Sequence, residues 1–448
     1  MLGMNVIYYK FLSKQEYILF MSSMAVHLTF LQVTGGWLGA AQSYYFAKGL
    51  GKAPALSSIQ EAGVKSNLVL WMVEFCILLI NASSLLVGIL VVVLTIAQTQ
   101  LISCSTRLQL SGKVRPQLEI AVVFCGLLAL STTFIINIQL ISAASFLVAH
   151  ISAAVVALVW AQLRIQTTVQ TTNSVTPIDL ILIIRYAVPM ATWFFLFATN
   201  SYLDRYILNL MFPQIDAKNY LLTKELTQGA VSLMTAPFIM VAHTKIFTAF
   251  RHKNKAGAEK SMLEYASATL VVSLVLMPIL DLAFDVAIRN YVNSAYAHSH
   301  AVFLLNYVGI LVLCISMYAQ KGLEVAGNSR AMVYIIASTL MIQLGLHYIF
   351  LDYESMVKFA AINLAAATCY LILVALVGNR ILNFRLVRSW WFAGLIVVAF
   401  TYIALQLIGG LYEVRYIFQL WMAWSLMFFT FSIKGFTSLY LIITQVEK

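Results

Sequence analysis

Glu74 is the only charged residue between Lys65 and Arg107, in the middle of the run WMVEFC. A lone carboxyl among apolar residues has two readings. It carries a proton or binds a cation or sugar from a watery lumen, or it is a hydrogen-bonded packing contact. Two ionic doublets form the next group. Asp204–Arg205 and Lys224–Glu225 lie ten residues to either side of Gln214–Ile215. Adjacent residues on a helix do not face each other, so neither doublet is an internal pair. In an antiparallel hairpin, Arg205 can meet Glu225 and Asp204 can meet Lys224, or these groups can contact a substrate. Asp281, Asp285 and Arg289 follow at i, i+4 and i+8 after Pro278, and Asp285 is well spaced to pair with Arg289. Arg185 sits among Ile and Leu in Ile178–Val188, a stretch of interfacial, amphipathic character. Lys321 and Glu324, at i and i+3, read as a surface pair.

Such groups need elements to hold them, and the composition names the elements. The chain has 448 residues, of which 61% are apolar types and 10% charged, with a mean hydropathy of +0.87. So few charges cannot cover a soluble protein of this size. A soluble enzyme, a disordered chain and a nucleic-acid binder are excluded, and a polytopic membrane protein remains. The five cysteines lie in apolar stretches without a CxxC spacing and read as small buried apolar residues. The seven histidines are scattered, so no metal is assigned, and no nucleotide-binding or G-x-S-x-G pattern occurs.

Crossing the hydrocarbon takes about 20 apolar residues. Thirteen segments qualify: Tyr17–Gly39, Ser66–Ala82, Leu85–Ser105, Leu118–Ile138, Ile141–Leu163, Pro189–Leu210, Leu221–Phe247, Tyr265–Ile288, Ala301–Ala319, Ala331–Phe350, Phe359–Val377, Trp390–Leu407 and Ile417–Ile433. In lipid the backbone must satisfy itself, so these are helices, and the fold class is an all-α polytopic membrane protein. The longest loops, Tyr44–Lys65 and Arg164–Val188, leave no room for an extramembrane catalytic domain, so no enzyme is expected. The second has linker composition, QTTVQTTNSVTP, and divides five spans from eight. The expected organisation is an N-terminal lobe over 1–163, a linker with an interfacial helix over 164–188, a C-terminal lobe over 189–377, and two further helices with a tail over 378–448.

With the loop after the first span placed inside, only Lys10, Lys14, Arg205, Lys218, Lys224, Arg289, Lys358 and Arg415 of the 28 basic residues fall outside. That bias orients the bundle with its C-terminus in the cytoplasm. The first sixteen residues then come out on the far face without a signal peptide. A first helix is therefore expected to be missing or truncated, and restoring it makes fourteen. An in-frame apolar stretch just upstream of Met1 is the observation that checks this.

Three stretches resemble a known family. RYAVPMATWFFLFATNSYLDRYIL (Arg185–Leu208) is similar to the "YGLP" start and "SDRYIL"-like end of the seventh helix in the polysaccharide-exporter branch of the multidrug/oligosaccharidyl-lipid/polysaccharide (MOP) superfamily. FLSKQEYILFMSSMAVHLTFLQVTGG (Phe11–Gly36) resembles that family's second helix, and AQKGLEVAGNSRAMVYIIASTLMIQLGLHYIF its link from the tenth to the eleventh. Ile18 and Ala187 replace two usual glycines, and FLDYESMVKFAAI departs from the pattern after the eleventh helix. The resemblance implies an O-antigen (Wzx-type) flippase of the bacterial inner membrane. Its fold would be two pseudo-symmetric six-helix lobes around a central cavity, plus two C-terminal helices. Its substrate would be an oligosaccharide on undecaprenyl pyrophosphate, moved to the periplasmic leaflet by alternating access. Membrane lipids and other polysaccharide-assembly proteins are the further partners implied, and nucleic acid is not one.

Pyrophosphate suits Arg and Lys, which makes Arg205, Lys224 and Arg185 head-group candidates. Glu74, Asp204, Glu225, Asp281 and Asp285 are the lumen carboxylates that could take part in coupling. Asn81, Asn137, Asn200 and the SYYF run at Ser43–Phe46 add sugar-binding types. No cofactor is expected, and coupling to H+ or Na+ stays open. A multidrug or cation antiporter of the same superfamily and a membrane-embedded polysaccharide polymerase or ligase are the alternatives.

Overall fold

The computed structural model describes residues 7–8, 10–47, 53–80, 84–110, 114–168, 180–211, 214–291, 299–350 and 356–384. Among them there is no strand. The helices are α1 Lys14–Ala47, α2 Ala53–Ile80, α3 Leu85–Leu110, α4 Val114–Asn137, α5 Ala143–Thr168, α6 Leu180–Met211, α7 Gln214–Arg251, α8 Lys255–Tyr291, α9 His300–Ala319, the single turn-and-a-half α10 Lys321–Ala326, α11 Ser329–Ile349 and α12 Met356–Gly378. Seven stretches among the described residues are long and apolar enough to cross a bilayer: Leu85–Leu110, Arg115–Asn137, Ala143–Ile165, Tyr220–Arg251, His300–Ala326, Ser329–Ile349 and Met356–Gly378. The protein is thus an all-α, multi-pass membrane protein. The expected spans Trp390–Leu407 and Ile417–Ile433 lie outside the described residues.

Two expectations about extent change. Most of the Tyr44–Lys65 stretch, read as a loop, is helical, because α1 runs to Ala47 and α2 begins at Ala53. Hydropathy finds only the part of a helix that needs lipid, and alanine-, glutamate- and lysine-bearing turns continue beyond it. Ile178–Val188, read as a separate interfacial stretch, belongs from Leu180 onward to α6, which passes Pro189 without a break. A proline removes one backbone donor and bends a helix, and need not end it in a membrane bundle. The short break placed at Ala82–Ser84 is where α2 gives way to α3. Ser84 caps α3 by accepting the Val87 N–H at 3.3 Å, and Ser142 caps α5 by accepting that of Ser145 at 3.1 Å.

The described chain forms two compact units. The first comprises Met1–Phe212, His243–Ala258 and Gln320–Met341. Its core is built around α1, α3 and α5. Tyr8 packs on Phe20 and Phe146, each with centroids 4.7 Å apart, and the small residues Ala149, Ala153 and Ala154 of α5 are buried. Small residues let membrane helices approach closely. Gly36 shows the limit: a Cβ there would stand 2.7 Å from the Phe194 ring of α6. The second unit comprises Pro213–Ala242, Glu259–Ala319 and Ile342–Lys448. Its strongest packing joins α9 and α12, where a Cβ on Gly309 would meet the Leu364 backbone at 3.5 Å. Tyr307 and Tyr318 tie α9 to α8 through hydrogen bonds to Ser273 O at 2.6 Å and with Thr269 at 2.7 Å.

The cysteine reading holds in part. Cys104 is buried, whereas Cys76 and Cys125 are on the outer surface of their helices, where lipid rather than protein covers an apolar side chain.

Candidate functional site

Helix α2 turns its polar residues inward. Asn67, Trp71, Glu74 and Leu78 share its buried face, and Leu68, Val69, Met72, Val73 and Leu79 are exposed. That distribution is what a bilayer demands, with apolar groups to lipid and polar groups to partners. Helix α3 answers with Thr95, Thr99 and Ser103 at i, i+4 and i+8, all buried, and α1 with His27, Thr34 and Gln42.

These side chains meet in a buried polar seam. Thr95 Oγ1 lies 2.6 Å from Glu74 Oε1 and 2.8 Å from His27 Nδ1. The second imidazole nitrogen, Nε2, is 3.3 Å from Gln98 Oε1. One turn on, Thr34 and Thr99 hydroxyls are 2.8 Å apart, and Gln42 Nε2 then donates to Ser103 Oγ at 2.9 Å. Asn67 of α2 closes the seam, accepting from Trp37 Nε1 at 2.9 Å and donating to Thr34 O at 3.1 Å. Glu74, His27 and Thr95 are fully buried.

The hydrogen-bond arithmetic gives the first stretch a specific capability. Thr95 has one proton to give, lies 3.1 Å from the Val91 carbonyl of its own helix, and stands between two groups that can each hold a proton. When Glu74 holds a proton, Glu74 donates to Thr95, Thr95 to His27 Nδ1, and His27 Nε2–H to Gln98 Oε1. When Glu74 is ionised, Thr95 donates to Glu74 and His27 Nδ1–H donates to Thr95. Glu74 Oε2 and Gln98 Nε2 are buried without a hydrogen-bond partner. The loose Gln98 amide can turn to face a His27 Nε2 that has lost its proton. Glu74, Thr95, His27 and Gln98 thus form a chain that keeps its hydrogen bonds matched with one proton more or one fewer.

The other sequence candidates are dispersed. Asp204 is buried in the first unit, one turn after the buried Asn200. Lys224 is buried and Glu225 half-buried, both in the second unit. Arg185 and Arg205 are on α6 and Asp285 is on α8, and their side chains lie outside the described residues. Asp281 takes a partner that the stripe with Asp285 and Arg289 did not suggest. His300 Nδ1 is 2.9 and 3.0 Å from its two carboxylate oxygens, and Asp281 is buried. The Lys321–Glu324 pair is present at 2.6 Å but buried, which corrects its reading as a surface pair. Gln320 Nε2 donates to the second Glu324 oxygen at 2.6 Å, so the carboxylate is satisfied on both sides. Asn137 is exposed at the end of α4, and Asn81 lies outside the described residues. Ser43 of the SYYF run is bonded to His243 Nε2 at 2.9 Å, and Tyr44 stacks on Tyr186 at 4.4 Å.

Sequence reasoning missed His27, Thr95 and Gln98. The available signal was the i, i+4, i+8 hydroxyl stripe on α3, which a membrane helix has no reason to carry toward lipid. Among the described residues, no group of three or more His, Cys, Asp or Glu could hold a metal ion.

No family model and no curated protein matches the sequence. Solved structures do match. A MATE structure in its straight conformation aligns over 88% of this chain and 92% of its own, with 13% identity and a TM-score of 0.61. An outward-facing multidrug resistance MATE family transporter of the MOP superfamily covers 84% of this chain and 90% of its own, at 14% identity and TM-score 0.62. A variant of the Vibrio cholerae MATE transporter VcmN covers 84% and 91%, at 13% and 0.61. The chain therefore has a MATE-like fold.

Proposed function

We propose that this chain is a flippase that moves an undecaprenyl-pyrophosphate-linked oligosaccharide, an O-antigen or other surface-polysaccharide unit, between leaflets by alternating access. Transport as such draws its support from the MATE-like fold. The observation that carries it is the fully buried Glu74–Thr95–His27 chain, which sets a carboxyl and an imidazole on either side of one hydroxyl where lipid would otherwise demand apolar packing. In this reading the chain is where an H+ gradient is coupled to the cycle. The sugar-lipid substrate draws its support from the likeness of Arg185–Leu208 and Phe11–Gly36 to the polysaccharide exporters. Arg205, Lys224 and Arg185 would engage the pyrophosphate, with Asp204, Glu225, Asp281 and Asp285 as polar contacts or coupling groups. The site of action would be the bacterial inner membrane with the C-terminus in the cytoplasm, which fusion of a sided reporter to Lys448 reads directly.

Deleting the gene and labelling lipid-linked sugars from one side of the membrane tests the proposal. Accumulation of complete units on the inner leaflet is expected. Accumulation of unpolymerised units outside would point to a polymerase or ligase instead. Arg205→Ala should abolish export with the protein still inserted, and Arg205→Lys should keep part of it. Full export by the alanine variant at matched protein level removes the head-group role.

The solved neighbours favour a second reading, a multidrug antiporter carrying an organic cation, because one of them is named a multidrug resistance transporter. Loss of resistance to cationic drugs in the deletion strain, with lipid-linked sugars distributed normally, would establish it over the flippase.

A further inference from the structure

The second unit contains a polar chain of another kind. Gln343 Nε2 of α11 donates to Asn363 Oδ1 of α12 at 2.8 Å. Asn363 Nδ2 donates to the Tyr220 hydroxyl of α7 at 3.0 Å, and Tyr220 donates to Asn306 Oδ1 of α9 at 3.1 Å. Four helices converge on it, and none of its members is ionisable near neutral pH. The chain runs head to tail, so it ends in one loose acceptor, Gln343 Oε1, and one loose donor, Asn306 Nδ2, both buried without a hydrogen-bond partner. Turning every amide over reverses the chain and still leaves one donor and one acceptor. Unmet groups of this kind are costly, and a ligand or water that joins the chain recovers the cost.

Three features say what kind of ligand fits. A cation would want oxygens only and a phosphate would want donors and positive charge, whereas a hydroxyl gives and takes one bond each. Asn363 lies opposite the exposed stripe Ala361, Ala365, Thr368 and Ile372, in the middle of the buried face of α12, yet is only half-buried. Its accessible surface therefore opens away from the lipid stripe. Tyr220 is held in place by the fully buried Phe359, which packs edge-on to it at 5.4 Å and against His347 at 4.7 Å. A neutral amide presented on the face away from lipid suits the hydroxyls of a sugar ring. Lys224, a candidate for the pyrophosphate, follows Tyr220 by four residues on α7 and is buried in the same unit. Residues at that spacing are neighbours on one helix face, about 5–6 Å apart at Cβ.

We propose that Asn363, held by Tyr220, Gln343 and Asn306, forms the subsite for the sugar joined directly to the pyrophosphate, with Lys224 nearby on the phosphate. This rests on the flippase reading and assigns a part of the substrate to residues that reading left unused. The full-length protein in nanodiscs is tested with two probes, undecaprenyl pyrophosphate and the same lipid bearing one hexose, with affinity read by native mass spectrometry. Wild type should prefer the hexose-bearing lipid. Asn363→Leu should weaken that lipid roughly tenfold and leave bare undecaprenyl pyrophosphate unchanged, because a site built for hydroxyls discriminates through its unmet polar groups. Tyr220→Phe, which keeps the ring and cuts the chain, should do the same and serves if Asn363→Leu fails to insert. Equal binding of both lipids by wild type, or variants that bind the hexose-bearing lipid as wild type does, would overturn the subsite and leave the flippase standing. Wild type that binds neither lipid but binds an organic cation would overturn the flippase reading itself.

Discussion

Polar side chains join helices in both units, but with different chemistry. In the first unit the α1–α2–α3 seam runs through a carboxyl and an imidazole bridged by Thr95. In the second, α7, α9, α11 and α12 meet through amides and one phenol. Ionisable groups of that unit, among them Lys224, His347 and the Asp281–His300 pair, are not links of this chain, although His347 packs on Phe359 beside it. The difference teaches what each junction can exchange. A seam with Glu74 and His27 can change its proton count, whereas a neutral one can only change hydrogen-bond partners. Proton coupling should therefore follow Glu74 in the first unit, and sugar preference Asn363 in the second.

The largest effect expected from breaking this contrast is at Glu74. Glu74→Gln keeps the hydrogen bond to Thr95 but cannot release a proton. Delivery of lipid-linked sugar to the outer leaflet should fall to the level of the deletion strain, at unchanged protein level in the membrane. Retained, pH-dependent delivery would separate the seam from coupling. The reverse change, Asn363→Asp, puts an ionisable group into the neutral junction. Delivery by this variant should show a second pH-dependent step beside that of wild type, as read by sided labelling of both across a pH series, and a wild-type profile would refute it.

Packing sets the next level. Gly36→Leu should destabilise the first unit by about 1–3 kcal/mol, because the new side chain drives into Phe194. A thermal melt in detergent measures it, and a wild-type midpoint would refute the close approach of α1 and α6. Gly327 ends α10 in the left-handed region at φ 71°, and a Cβ there would stand 2.6 Å from the Tyr44 ring. Gly327→Ala should cost roughly 1–3 kcal/mol by the same measurement. The smallest effect is expected in the second unit. Tyr318→Phe removes one hydroxyl from the pair with Thr269 and should cost about 1 kcal/mol.

Much of the site was legible as residue type and little of it as partnership. Glu74 drew notice because nothing else charged stands near it in the chain, and the structure buries it completely. His27 was passed over because no second histidine or carboxylate lies at a ligand spacing from it. Its partners Thr95 and Gln98 come from a helix 68 and 71 residues away. Asp281 was read with Asp285 and Arg289, neighbours on its own helix, and took His300 from the next. Local spacing favours intrahelical pairs, whereas a bundle offers every helix several others. The Lys321–Glu324 pair was read correctly as a contact and incorrectly in its surroundings, since i, i+3 spacing says nothing about burial.

The amino-acid sequence by itself determined that this is a multi-pass bundle of helices. Apolar runs of spanning length leave a chain in lipid no other way to satisfy its backbone. It also determined which side chains would be costly there, because each ionisable group within a spanning run must find a partner or water. Only the tertiary structure decided which partners. It set Thr95 between Glu74 and His27, and it joined Gln343, Asn363, Tyr220 and Asn306 from four separate helices. Those choices depend on how the helices pack side by side, and hydropathy along one helix is blind to its neighbours.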